Sequence, residues 1–133
     1  MKYLLDTNIC IYIANKRPES VRARFESVLP NDIAISVITL AELLYGAENS
    51  GRPELNRRRI EVIRTRLTVL DLTSDVTTTC ARVRVDLERK GTLVGPYDLL
   101  IAAQALHLEL ILVTNNEREF KRIPGLKIEN WVD

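Results

Sequence analysis

The chain has 133 residues, 46% of them hydrophobic and 28% charged, with 19 basic against 18 acidic side chains. That length suits one compact domain, and the apolar content suits a real core, which excludes a disordered, collagen-like or linker-type chain. A net charge of +1 also excludes a uniformly basic nucleic-acid sleeve, so any hold on RNA or DNA has to come from a local patch.

Taken in chain order, residues 2–5 (KYLL) predict a short buried strand that ends at Asp6-Thr7-Asn8. Asp6 arrives before a signal-peptide core can build, and no apolar run approaches the roughly 20 residues of a membrane span. A soluble cytoplasmic protein with no membrane partner is the expectation. Val21, Phe25 and Val28 then share one helical face. Residues 33–36 (IAIS) predict a second strand ending at Ser36, followed by a helical run, TLAELLYGA, that carries Glu42. Gly51-Arg52-Pro53 breaks the chain before a second helical pattern. Residues 68–71 (TVLD) read as a third strand with Asp71 as its terminator, and Val76, Cys80, Val83 and Leu87 as the inward face of another helix. A loop from Gly91 to Gly95 leads to Pro96, a favoured first helical residue. The helix it opens, over 96–109, is apolar nearly all round and carries Asp98 in its first turn. Residues 110–113 (LILV) predict a fourth strand ending at Thr114-Asn115-Asn116, and 127–129 a weaker fifth, anchored by Trp131. This alternation predicts a three-layer α/β/α sandwich with a mostly parallel sheet of four to five strands, one domain over 1–133.

Scarcity removes several chemistries. There is one histidine, His107, and two cysteines, Cys10 and Cys80, with no CxxC. A zinc site built on Cys and His is out of reach, and the cysteines read as small buried thiols. His107, between Leu106 and Leu108 late in its helix, suits packing or a helix end better than catalysis, which sets aside Ser-His-Asp and Cys-His-Asn units. The first turn reads DTNICI rather than GxGxxG, and no GxxxxGK[ST] occurs, so the two common phosphate cradles are missing.

Ligands of open parallel sheets bind beyond the carboxyl ends of the strands. Each acid there has a plain structural use: Asp6 in an Asx turn, Asp98 facing its helix dipole, Glu42 turned to water. Together they predict more, because Asp6, Glu42 and Asp98 converge on one crevice from three segments. Clustered carboxylates raise one another's pKa unless a cation neutralises them, and an all-oxygen set points to Mg²⁺ or Mn²⁺. Such a site suits phosphodiester hydrolysis by an acidified water.

DTN at 6–8, Glu42 within VITLAELLYGAE, GPYD at 95–98 and TNNEREF at 114–120 resemble, in order and spacing, the PIN-domain ribonucleases. The likeness spans essentially the whole chain and is greatest to the VapC toxins of type II toxin–antitoxin systems. It implies a bacterial Mg²⁺- or Mn²⁺-dependent endoribonuclease, commonly a homodimer, held inactive by a VapB-like antitoxin in a higher hetero-oligomer. The implied substrate is structured RNA such as tRNA; the enteric-type members that the sequence most resembles cut initiator tRNA, with the anticodon stem-loop the implied site. Carried over by position, Asp6, Glu42 and Asp98 match the metal-holding acids and Thr114 the nearby hydroxyl. Asn116 stands where many PIN domains have Asp, while Glu119, just before Phe120, is the other candidate for a fourth acid. One firmly bound ion, with a second recruited by substrate phosphate, is the corresponding expectation.

Two local basic stretches supply candidate contact surfaces. Residues 52–66 carry six Arg against two Glu, and 16–24 carry four basic residues against Glu19. Arg52, Arg57, Arg58, Arg59 and Arg64 are therefore candidate contacts for RNA or antitoxin, weighed against a solvated amphipathic face whose apolar side is Ile60, Ile63 and Leu67. Tyr97 either stacks on a base or, as is commoner, packs against its helix. Two rivals remain. A non-catalytic RNA- or partner-binding PIN relative would ignore metal. A phosphoacceptor receiver domain would use Asp71, but it expects an acidic pair after the first strand and leaves Glu42 and Asp98 unexplained.

Overall fold

A computed structural model describes residues 1–132 and contains five strands, all paired in parallel. The strands are β1 (Tyr3–Leu5), β2 (Ile33–Ser36), β3 (Thr68–Leu70), β4 (Ile111–Val113) and β5 (Ile128–Glu129), in the spatial order β3-β2-β1-β4-β5. The predicted strands are all present, four of them one residue shorter at an end. Lys2, Asp71, Leu110 and Lys127 fall outside the ladder.

The sheet is short because it is covered on both faces, and its strands alternate between two cores. Tyr3, Leu5, Ile33, Ile35 and Val113 point into one apolar cluster, and Leu4, Ala34 and Leu112 into the other. This is the period of two that a strand imposes, here apolar in both phases. Over the first face lie α1 (Thr7–Asn15), α2 (Glu19–Ser27), α3 (Val37–Glu48) and α4 (Pro53–Arg64), contributing Ile9, Val21, Phe25, Leu43, Ile60 and Ile63. Over the second lie α5 (Val76–Lys90) and α6 (Pro96–His107), with the short α7 (Glu117–Phe120) adding Phe120. The architecture is the α/β/α sandwich expected, with Val28 just outside α2 rather than in its last turn.

Local chemistry sets the helix ends. Asp6 caps α1, its Oδ1 accepting from the Ile9 N–H at 2.9 Å, and Ser36 caps α3 through the Ile38 N–H at 3.1 Å. Gly91 ends α5 at φ +67°, where a Cβ would be strained, and the Thr92 N–H returns to the Leu87 carbonyl at 2.9 Å. His107 has the helix-end role: Nε2 donates to Asp75 and Nδ1 meets the Thr79 hydroxyl, both at 3.0 Å, tying the end of α6 to the start of α5. Gln104, fully buried on α6, donates to the Asp71 carbonyl at 3.1 Å and secures the end of β3. Trp131 is buried edge-on against Tyr3, with ring centres 5.4 Å apart. Cys10 is fully buried as expected, whereas Cys80 is only half-buried, because it sits at the margin of the α5 face.

Leu4 has no exposed surface and sits in the middle strand. Leu4→Ala is expected to cost about 2–5 kcal/mol. Urea denaturation reads this directly, and a loss below about 1 kcal/mol would mean that the second core closes around the void.

Candidate active site

The chain runs outward from β1 through β2 to β3, then crosses to β4 and β5 on the other side. The switch point therefore lies between β1 and β4, where a crevice opens beyond the strand ends. Asp6 follows β1 and Thr114 follows β4, and the Asp6 N–H donates to the Val113 carbonyl at 3.0 Å. Both side chains are buried, Asp6 to 5% exposure and Thr114 completely. The Thr114 hydroxyl bonds to the Asp6 carboxylate and accepts from the Asn116 N–H at 2.9 Å.

Glu42 enters from α3. The sequence left it without polar company, but the Thr7 hydroxyl donates to its Oε1 at 2.7 Å and approaches the Thr39 hydroxyl at 3.5 Å. Thr7 and Thr39 are thus part of the site, and sequence reasoning missed both. The one available signal was the polar residue directly after Asp6.

Asp98, in the first turn of α6, meets Glu119 of α7 through a carboxyl–carboxyl hydrogen bond. Glu119 is fixed in turn: it accepts from the Gly95 N–H at 3.3 Å and from the Asn116 side-chain amide at 2.6 Å. Of the two candidates for a fourth acid, Glu119 touches Asp98, and Asn116 acts as a donor that holds Glu119.

Burial and crowding set the electrostatics. Asp6 has its pKa raised, chiefly by burial and further by the charge of Glu42, against the hydrogen bonds from Thr114 and Ile9. Asp98 is pushed from the ordinary 3.8 up to about 7 by burial, by Glu119 in contact, and by the charges of Asp6 and Glu42. The charges named as acting on the two acids are other carboxylates. These are four oxygen-donor side chains within electrostatic reach of one another and short of counter-charge. A divalent cation relieves that arrangement, and hard cations favour such donors. No three His, Cys, Asp or Glu side chains among the described residues close into a ready-made cage. Near neutral pH the raised pKa of Asp98 leaves it part protonated, and an ion binding there would have to displace that proton.

The remaining candidates lie elsewhere. Arg52, Arg57, Arg58, Arg59 and Arg64 belong to the α4 region, where Arg57 pairs with Glu48 and Arg64 with Glu61. Tyr97, one residue from Asp98, is 60% exposed, so it does not pack against the helix, the commoner role expected of it. Asp71 ends β3 at the sheet edge with its side chain exposed, two strands from β1, which removes the phosphoacceptor reading. Cys10 is held as a neutral thiol by burial and by the nearby Asp6 charge. His107 stands nine residues from Asp98 on α6, about 13 Å along the axis, so no imidazole serves this site.

Comparison with known proteins adds an independent line. The family model for the PIN domain matches residues 3–126. The tRNA(fMet)-specific endonuclease VapC of Salmonella typhimurium is 47% identical over 131 residues, covering 98% of each chain. Among solved structures, the DNA-bound VapBC of Salmonella typhimurium superposes with a TM-score of 0.93 at 47% identity, covering 98% of each chain. VapBC2 of Rickettsia felis, bound to a DNA fragment from its promoter, gives 0.90 at 42% identity, covering 98% of this chain and 99% of that one.

The Asp98 shift predicts an effect on stability. A carboxyl whose pKa is raised on folding stabilises the native state while protonated; that contribution is complete below pH 4 and is lost as pH rises through 7. Without divalent ions, Asp98→Asn is therefore expected to be more stable than wild type at pH 8, with the gap closing near pH 4. Because the group is half-exposed, solvent screening reduces the gain to the order of 1 kcal/mol. Denaturation in EDTA at the two pH values checks it.

Proposed function

Because this chain belongs to the PIN-domain family, we propose that it is the toxin of a toxin–antitoxin pair, a divalent-metal-dependent endoribonuclease that cuts tRNA and is restrained by a cognate VapB-like antitoxin. The observation that carries the reading is the crowd of carboxyl groups at the switch point, none of them in an ion pair among the described residues, in a chain similar along nearly its whole length to VapC ribonucleases. Initiator tRNA is the first substrate to test, since relatives at 47% and 46% identity bear the name tRNA(fMet)-specific endonuclease. A homodimer, joined by antitoxin into a larger assembly, is part of the same proposal. So is cytoplasmic action, where tRNA is found. Among the described residues no helix is long and apolar enough to cross a membrane.

Asp6, Glu42 and Asp98 would hold Mg²⁺ or Mn²⁺, with Glu119 beside them. When bound, the ion would supply positive charge against the scissile phosphate and acidify water. The chain's own groups prepare that chemistry. The Ile9 N–H and the Thr114 hydroxyl fix the Asp6 carboxylate, and Thr7 fixes that of Glu42. Asn116 and the Gly95 N–H hold Glu119 beside Asp98. Without histidine nearby, the cluster offers no imidazole to deprotonate the RNA's own 2′-hydroxyl, which favours attack by water. The products would then carry 5′-phosphate and 3′-hydroxyl ends.

Purified protein incubated with bulk tRNA, with and without Mg²⁺, tests this. Cleavage is expected only with the ion, and at least about 100-fold slower in Asp6→Asn and Asp98→Ala. Metal-independent cutting to 2′,3′-cyclic phosphate ends overturns the mechanism; RNA binding unaffected by metal and without cleavage would make the protein a non-catalytic relative. Thr7→Val should lower kcat about tenfold with KM nearly unchanged, since it frees Glu42 without touching the RNA. Thr7→Ser should restore most of the rate; an unaltered kcat in Thr7→Val would leave the hydroxyl a merely structural bond.

A further inference from the structure

The two basic stretches, 16–24 and 52–66, face each other across an open groove of about 830 Å³ between the end of α1, α2 and α4. Its rim carries Lys16, Arg17, Arg22, Arg59 and Arg66, with Glu26 as the acid among them. Arg22 is already balanced by Glu19 and Glu26, at 3.5 and 3.3 Å. Lys16, Arg17, Arg59 and Arg66 have no carboxylate partner among the described residues. Arg66 lies over the Phe25 ring, 5.7 Å from its centre, which steadies the guanidinium at the groove edge.

This groove is not isolated. A second, narrower cleft of about 240 Å³ runs between α1, α3 and α4 and is lined by Glu42 at one end. The two share Ala14, Asn15 and Arg59, so the basic groove adjoins the cleft that Glu42 lines. Glu42 is tied to Thr7 at the start of α1, and Lys16 caps the end of that nine-residue helix. Lys16 and Arg17 therefore stand roughly the length of α1, about 13 Å, from Glu42, while Arg59 lines the cleft that Glu42 enters. Arg52, Arg57 and Arg58 line a different hollow, together with Glu48 and Glu54.

From this juxtaposition we infer that the α1–α2–α4 groove is the track for the RNA backbone flanking the cut, with Lys16, Arg17, Arg59 and Arg66 as its phosphate contacts. Arg52, Arg57 and Arg58 take no part in it. The inference rests on the ribonuclease reading and extends it by dividing a cluster that the sequence presents as one. A site that gathers negative charge repels a polyanion; cations beside it that form no ion pair with the acids hold the strand without neutralising them. The unpaired charge decides for RNA as occupant, since phosphates repeat along the strand and each can meet one of the four cations.

The test compares two double variants of equal charge change, Arg17→Ala/Arg66→Ala in the groove and Arg52→Ala/Arg58→Ala outside it. Affinity for bulk tRNA is read by fluorescence anisotropy in EDTA over a salt series, so that nothing is cut. The groove double should bind about tenfold more weakly near 0.1 M salt, and its salt slope should fall by about 1.4–1.8, because each cation removed leaves one phosphate with its counterions. The outer double should change affinity less than twofold. Arg17→Lys/Arg66→Lys should bind as wild type does. Equal weakening in both doubles would overturn the track in favour of diffuse surface charge; no weakening in the groove double would overturn it and leave the groove to a protein partner. If wild type fails to cut any RNA yet its tRNA binding depends on the groove, the carboxylate reading falls and the track stands.

Discussion

The strand β1 is bonded on both sides, to β2 and to β4, and the residue that follows it cannot avoid the centre of the molecule. Asp6 is that residue. Its backbone continues the β1–β4 ladder, its carboxylate starts α1, and it lies against Thr114 and within the field of Glu42. Burying an acid there is unfavourable, and the fold surrounds it with the Thr114 hydroxyl and the Asn8 and Ile9 N–H groups as hydrogen-bond donors. The other acids then add to the strain instead of relieving it. The carboxyl groups stay together because the two hydrophobic layers, one on each face of a short parallel sheet, fix the strand ends and helix starts that carry them.

Much of this was legible in the sequence, for a reason that differs between fold and site. The strands announced themselves as apolar runs because both phases of each strand face a core, and helix breaks at Gly51–Pro53 and Gly95–Pro96 marked the boundaries. The acids could be ordered because parallel sheets present ligands at one end. What stayed hidden depends on contacts between distant segments. Nothing local tells that Thr7 reaches Glu42, 35 positions away, or that Glu119 rather than Asn116 touches Asp98. Tyr97 read as a packing residue because that is the commoner role at a helix start, yet it is exposed in the first turn of α6. The arginines of 52–66 read as one patch because a charge count ignores direction; winding them on a helix sends Arg59 toward α1 and Arg52 and Arg58 toward Glu48 and Glu54.

The charge distribution gives the near-neutral composition a different meaning. A total of +1 describes a molecule with its acids gathered at the strand ends and unpaired cations along an adjoining groove. Some other surface charges cancel locally in pairs such as Arg84–Glu88 and Lys90–Asp86. Those pairs contribute little stability, but they remove competing fields.

The double duty of Asp6 limits how this site can vary. A helix start needs an oxygen acceptor on a short side chain, a role that Asn, Ser and Thr fill nearly as well as Asp. A site that carries charge needs the carboxylate alone. The requirements overlap at a single residue type, so position 6 has no freedom that position 42 or 98 would not also need for chemistry. Drift to Asn would silence the site yet leave α1 properly begun. Drift to Ala would unfasten the helix as well, by about 1 kcal/mol. Descendants that shed the activity while keeping the shape are therefore expected to carry the amide at this position rather than the methyl.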